Sequence, residues 1–173
     1  MTMQYDVKQG HLNQSGFFVT SRNRIKGLTF SGTVGSAGSF VLFDTLTAPV
    51  SSSVTYGRSG TTVTVAKTAH GLSTGDVVGI HFAGGSGGAA TDGNYVITRT
   101  SADAFTLVDI NTGTITGSPA AVYCATGNWL LTEEPAASDV FNNFNLVPGE
   151  GILAKNGIYA YMSNVTVASI YYG

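Results

Sequence analysis

The side chains able to do chemistry in this 173-residue chain are few, and their spacing argues against most reactions. Gly84-Gly85-Ser86-Gly87-Gly88 has the letters of the hydrolase elbow G-x-S-x-G, and Gly85, Gly87 and Ala90 almost spell the dinucleotide fingerprint. Both motifs need a helix directly after the loop, the first to expose a strained serine and the second to receive a pyrophosphate. The next residues, AATDGNYVIT, read as a loop and then a strand, so both matches reduce to glycine-rich composition. His11, His70 and His81 lie far apart, with no pair at helical metal spacing. His70 and His81 can approach in the middle of the chain, where turn or surface roles fit them better than a metal site. Glu133, Glu134 and Glu150, with Asp139, are the acidic residues a glycosidase could use. Adjacent Glu133 and Glu134 point to opposite sides of an extended chain, and nothing sets a carboxylate separation, so they read as a solvated loop. Cys124 is the single cysteine, which excludes an internal disulfide, and in the strand-like AVYCATGN it reads as a small buried hydrophobe. No catalytic, metal-binding or cofactor-binding residue is assigned, and the chain reads as a non-enzyme without a cofactor.

Composition limits the partners. Charged residues make up 10% of the chain, against a usual figure of about 25%, so little charge holds its surface away from neighbours. The net charge of −2 does not supply the basic footprint of a nucleic-acid binder. One local exception is the first 30 residues, where Lys8, Arg22, Arg24 and Lys26 face only Asp6, a pattern that reads as a solvated or partner-facing basic arm. No run of about 18 apolar residues occurs, and MTMQYDVKQGH has neither a charged n-region nor an apolar h-region. The expectation is a soluble protein that meets no membrane and is made without a secretory signal, so its two N-x-[ST] sequons carry no weight.

The elements that must hold these residues are strands: 23 glycines with abundant threonine, serine and valine describe short extended segments joined by tight turns. The chain up to about Gly16 reads as a polar extended arm. RIKGLTFSGT alternates Ile25, Leu28 and Phe30 with a phase shift at Gly27, as a bulge makes. SFVLFDT is apolar on both faces, which predicts a central sandwich strand with Phe40, Leu42 and Asp44 on one side. From Val54 the texture changes: TTVTVAK, VVGIHF, NYVITRT and AFTLVDI are strands around HGLSTGD, the glycine loop and SAD, with Tyr95, Ile97, Phe105 and Leu107 as core candidates. AAVYCA is read as returning the chain to the first domain. TEEPAASDVFNNF holds the one helical possibility, a short turn capped by Ser138 or Asp139. In LVPGEGILAKNGIYAYMSN the pair Asn156-Gly157 suits a type I′ hairpin, and VTVASIYYG is a closing strand.

The pairing of RIKGLTFSGTVGSAGSFVLFDT with VPGEGILAKNGIYAYMSNVTVASIYYG resembles the small β-sandwich virion proteins of tailed bacteriophages. The middle, with AHGLSTGDVV, GNYVIT and FTLVD, is similar to a small β-barrel module of phage structural proteins and to the barrel in the first catalytic-cysteine half-domain of ubiquitin-activating enzymes. Cys124 lies at the edge of that module, so no ubiquitin chemistry is carried over. The expected fold is all-β: an antiparallel jelly-roll-like β-sandwich from residues 1–53 and 123–173, interrupted by a small β-barrel from residues 54–122.

The resemblance implies a virion component made in the bacterial host's cytoplasm, foremost a capsid decoration or cement protein. Its expected partners are its own copies in a symmetric oligomer such as a trimer, and the major capsid protein or other virion proteins. Interface candidates are Tyr5, Arg22, Arg24, Trp129, Phe141, Phe144, Tyr171 and Tyr172. The alternative is a tail-fibre or spike module that binds a host receptor or glycan, with Tyr95, Tyr123 and Trp129 as exposed stacking aromatics.

Overall fold

Residues 7–138 and 143–173 are described by a computed structural model, at Asn143 and Phe144 for the backbone alone. The fold is all-β and antiparallel, with no helix among the described residues. In chain order the strands are β1 (Lys8–Leu12), β2 (Gly16–Val19), β3 (Asn23–Gly32), β4 (Ser39–Asp44), β5 (Thr55–Ala66), β6 (Val77–Phe82), β7 (Gly93–Val96), β8 (Thr98–Arg99), β9 (Ala104–Ile115), β10 (Ala121–Cys124), β11 (Asn128–Glu133), β12 (Asn143–Leu146), β13 (Ile152–Ala154), β14 (Ile158–Ser163) and β15 (Val165–Tyr172). They form two compact units: the chain up to Leu46 together with the chain from Leu130, and the stretch Thr47–Trp129 between them.

The outer unit is sandwich-like. One sheet runs β1-β15-β3-β12 with β13 also on β3, and the other runs β11-β4-β14-β2. Their inner faces meet in one core built from Ile25, Leu28 and Phe30 of β3, Phe40 and Leu42 of β4, Ile158 and Ala160 of β14, and Ala168 and Ile170 of β15. Phe30 and Phe40 stack at 5.7 Å between ring centroids. The phase shift predicted at Gly27 is present, since β15 pairs Tyr171 with Gly27 and Tyr172 with Ile25, leaving Lys26 as the extra residue of a bulge. β4 is central, flanked by β11 and β14, as its two apolar faces predict.

One sequence expectation becomes specific in this unit and another changes. The polar arm is held on its own unit: residues 8–12 form an edge strand, paired residue for residue with β15 from Lys8–Tyr172 to Leu12–Ala168. Asn156-Gly157 does not close a hairpin: β13 pairs with β3 and β14 with β2 and β4, so the turn carries the chain from one sheet to the other. Neither residue has the positive φ that a type I′ turn requires. The turn is set instead by Asp44, which is 1% exposed and accepts the N–H groups of Lys155, Asn156 and Gly157 at 2.9, 2.7 and 3.2 Å. Three donors converging on one carboxylate give this buried charge its partners. The helical turn expected in TEEPAASDVFNNF falls partly on Asp139–Asn142, outside the described residues.

The middle unit holds two three-stranded sheets, β10-β6-β7 and β5-β9-β8. β10 pairs with β6, β6 with β7, β8 with β9 and β9 with β5. Val50 and Tyr123 exchange both backbone hydrogen bonds, and Tyr56 and Ala121 donate to Pro119 and Val54, which brings the start of β5 back beside β10. β7 and β8 are one strand that changes partner at Ile97, itself 1% exposed. The enclosed core holds Val63, Val65, Val78, Ile80, Phe82, Ile97, Phe105, Leu107, Ile115 and Tyr123. AAVYCA therefore belongs here and not to the outer halves. Tyr123 and Ala121 point into this core, and all four residues of β10 pair with β6. Cys124 is buried in β10, as its apolar flanks predict. Gly79 has to be glycine, because a Cβ there would collide with the backbone N of Trp129.

Candidate functional site

Polar residues of the middle unit converge beneath the glycine loop. Tyr56, on the buried side of β5, donates its hydroxyl proton to the Ala83 carbonyl at 2.7 Å and accepts the Ala90 N–H at 3.3 Å, gripping both ends of the loop. Arg58, two residues on and therefore on the same face, donates Nη1–H to Asp109 Oδ2 at 2.5 Å. Asp109 also accepts the N–H groups of Thr91 and Asn111. Both side chains of this pair are buried, at 7% and 0% exposure. Burial alone pushes the Asp109 carboxyl up, but the hydrogen bonds from Thr91, Asn111 and Arg58 outweigh it and hold the group below the usual aspartate value. On the other side of the loop, His81 Nδ1 donates to Asp92 Oδ2 at 2.7 Å, and Phe82 N–H donates to the other Asp92 oxygen. Tyr95 donates to the Thr91 carbonyl, and burial with the nearby Asp109 and Asp92 charges pushes its phenol up to about 12.

The hydrogen bonds of Tyr56, Asp109, Asp92 and Tyr95 fall on backbone groups at Ala83, Ala90, Thr91 and Phe82, so the arrangement positions Ala83–Asp92, while the buried Arg58 Nε is left without a hydrogen-bond partner among the described residues. The elbow-like serine sits within it as the tip of a turn closed by Gly85 and Gly88, with Ser86 bridged to Thr116. Gly87, at φ +98°, lies so close to the Thr114 carbonyl that a Cβ would collide with it. His70 is a turn residue: Nδ1 accepts the Leu72 N–H, so Nε2 carries the proton and donates to the carbonyls of Ser101 and Ala104. His11 Nδ1 lies 3.1 Å from Ser169 Oγ in the outer unit. Among the described residues no three His, Cys, Asp or Glu side chains are grouped to hold a metal. Glu133 and Asn145 meet at 3.0 Å; burial pushes the Glu133 carboxyl up, partly offset by that hydrogen bond.

A different feature of the same unit faces outward. Val77, Val96, Val108 and Ile110 are 45%, 65%, 69% and 81% exposed. Val77 and Val96 are cross-strand partners. Val96 and Val108 each lie two positions from the Thr98–Thr106 pair, and Val108 and Ile110 alternate along β9 with buried Leu107 and Asp109. The pattern places four branched apolar side chains on the outer face of three successive strands, with threonines around them.

The expected interface residues are dispersed. Tyr5 and Phe141 lie outside the described residues, and Phe144 is described only as backbone, level with Thr29 on β3. Trp129 is half-buried and its N–H donates to Asn94 Oδ1. Tyr171 and Tyr172 are half-buried on β15, and Tyr172 packs against the outer core. Arg22 and Arg24 are brought together with Asn23, Leu153 and Gly173 around a cavity of about 230 Å³. The expected row of exposed aromatics does not form. Tyr123 is 1% exposed, edge-on to Phe105, because β10 faces the core, and the Tyr95 hydroxyl is tied to the backbone. Sequence reasoning missed the outward apolar row and the Arg58–Asp109 pair. FTLVDI does carry the signal for both, being apolar on both faces with one aspartate in phase with Phe105 and Leu107.

Compared with known proteins, the chain matches no family model, no curated protein and no solved structure.

Proposed function

We propose that this chain is a non-enzymatic bacteriophage virion structural protein, a capsid decoration or cement protein that works as a symmetric homo-oligomer, foremost a trimer. The observation that carries the reading is the exposed row Val77, Val96, Val108 and Ile110 in a chain with 10% charged residues. A face of this kind is stabilised when another chain covers it. The likeness of the outer halves to phage sandwich proteins supplies the setting. In this reading the jelly-roll-like outer unit docks on the shell, and the barrel-like middle unit makes contacts between copies.

The chain is expected to sediment as a defined oligomer. Val96→Lys with Val108→Lys should shift it to a monomer that still unfolds cooperatively, its thermal midpoint lowered only by the lost association and no longer dependent on concentration, because both side chains already face solvent in one copy. A native chain that stays monomeric at every concentration overturns the oligomer. Imaging particles separates the settings: ordered copies at capsid symmetry sites support a decoration protein, and copies confined to the tail tip refute it.

A further inference from the structure

A second surface, on the outer unit, carries positive charge that no carboxylate pairs with among the described residues. β3 begins at Asn23, so Arg22, Arg24 and Lys26 fall within five residues, and inward-facing Ile25 turns Arg24 and Lys26 to the outer side. β13 pairs Leu153 with Arg24 on one flank, and Gly173 exchanges both backbone hydrogen bonds with Arg24 on the other. Lys8, opposite Tyr172 on β15 and so in phase with Ile25, lies on the other face and is not part of this group.

Arg24 Nη1 donates to the Glu150 carbonyl at 3.4 Å, and Lys26 Nζ donates to the same oxygen at 3.0 Å. The two cationic nitrogens are therefore no more than 6.4 Å apart. Their shared acceptor is a neutral carbonyl, and among the described residues no carboxylate pairs with Arg22, Arg24 or Lys26. Like charges held this close repel, and with no carboxylate within ion-pair distance among the described residues a ligand anion relieves that repulsion. Arg22 and Arg24 are among the residues that line a cavity of about 230 Å³, matched in scale to one or two carboxylate side chains, and guanidinium binds carboxylate through paired hydrogen bonds.

We propose that this basic end of the sheet is a docking site for an acidic segment of a protein partner, one presenting adjacent Asp or Glu side chains. The backbone of Arg24 is already paired on both flanks, so recognition runs through side chains and not through strand addition. A protein segment is favoured over nucleic acid because the cations are gathered at one cavity while the chain as a whole is net negative. This site does not depend on the oligomer formed through the middle unit, and peptide binding is read separately from assembly.

The test titrates the full isotope-labelled chain with a hexaglutamate peptide, a single-stranded oligonucleotide of equal charge and inorganic phosphate, following backbone amide resonances. Hexaglutamate should move Asn23, Arg24, Leu153 and Gly173, and its affinity should fall about tenfold when salt rises from roughly 50 to 300 mM. Arg22→Gln should weaken binding several-fold with an unchanged thermal midpoint, since the Arg22 side chain makes no hydrogen bond to a described residue. Arg22→Gln with Arg24→Gln should weaken it at least tenfold. Unchanged affinity in Arg22→Gln, or shifts confined to another surface, overturns the site. Tighter binding of the oligonucleotide makes it a nucleic-acid surface, and phosphate binding as tightly as the peptide makes it a small-anion site; either result overturns the proposal.

Discussion

Replacing Asp109 by Asn tests whether the polar network holds the middle unit together. The carboxylate accepts from Arg58 at 2.5 Å, Thr91 at 3.3 Å and Asn111 at 3.2 Å. Asn keeps one acceptor oxygen and turns the other position into a donor, so at least one N–H faces a donor and Arg58 keeps a buried, unpaired charge. Losing the Arg58 bond costs about 1.5–3 kcal/mol and stranding one buried N–H about 1–3 kcal/mol, together roughly 4 kcal/mol. That agrees with the 3–5 kcal/mol typical of removing one partner of a buried pair. The urea midpoint of this unit should fall by about 2 M, read from the fluorescence of Trp129, the single tryptophan. Arg58→Met with Asp109→Leu removes both charges and should cost less than half as much as Asp109→Asn. A loss under about 1 kcal/mol for Asp109→Asn, or a double variant as unstable as the two single variants combined, would refute the network's role. The pH dependence gives the sign independently. The folded-state value of Asp109 is depressed, so its contribution is present above the unfolded value near 3.9 and is lost as pH falls through the folded value. Acid loss of this unit should begin below about pH 4, and Asp109→Asn should flatten it.

Two other outcomes rest on the fold. Asp44→Ala strands three backbone donors at the turn between the sheets and should cost the outer unit about 2–4 kcal/mol in chemical denaturation, less than their full sum because Lys155 and Asn156 reach solvent; Asp44→Asn should cost about half. Excising Thr47–Trp129 with a short glycine linker should leave a cooperatively folding outer unit, since each unit has its own core, whereas removing only residues 54–122 should leave Tyr123 and Cys124 without theirs and give an aggregating product.

The all-β class was legible because it rests on local signals: period-two alternation, β-branched residues and glycine turns read the same in any context. Those signals placed the bulge at Gly27, the central strand at Phe40–Asp44, the core candidates Ile97, Phe105 and Leu107, and the turn role of His70. They also marked the change of texture near Val54. Tertiary structure decided which strands are neighbours, because pairing depends on partners far away in the chain. AAVYCA joins the middle unit through β6 and Val50, and residues 8–12 become an edge strand through β15. Asn156-Gly157 has hairpin letters, yet Asp44, more than 100 residues earlier, holds it as a crossing between sheets. The functional candidates divide the same way. Arg22 and Arg24 stand out in sequence as basic residues in a chain poor in charge. That Arg24 and Lys26 share one carbonyl oxygen, and that Val77, Val96, Val108 and Ile110 lie on one outer face, are consequences of register, which side-chain chemistry alone does not reveal.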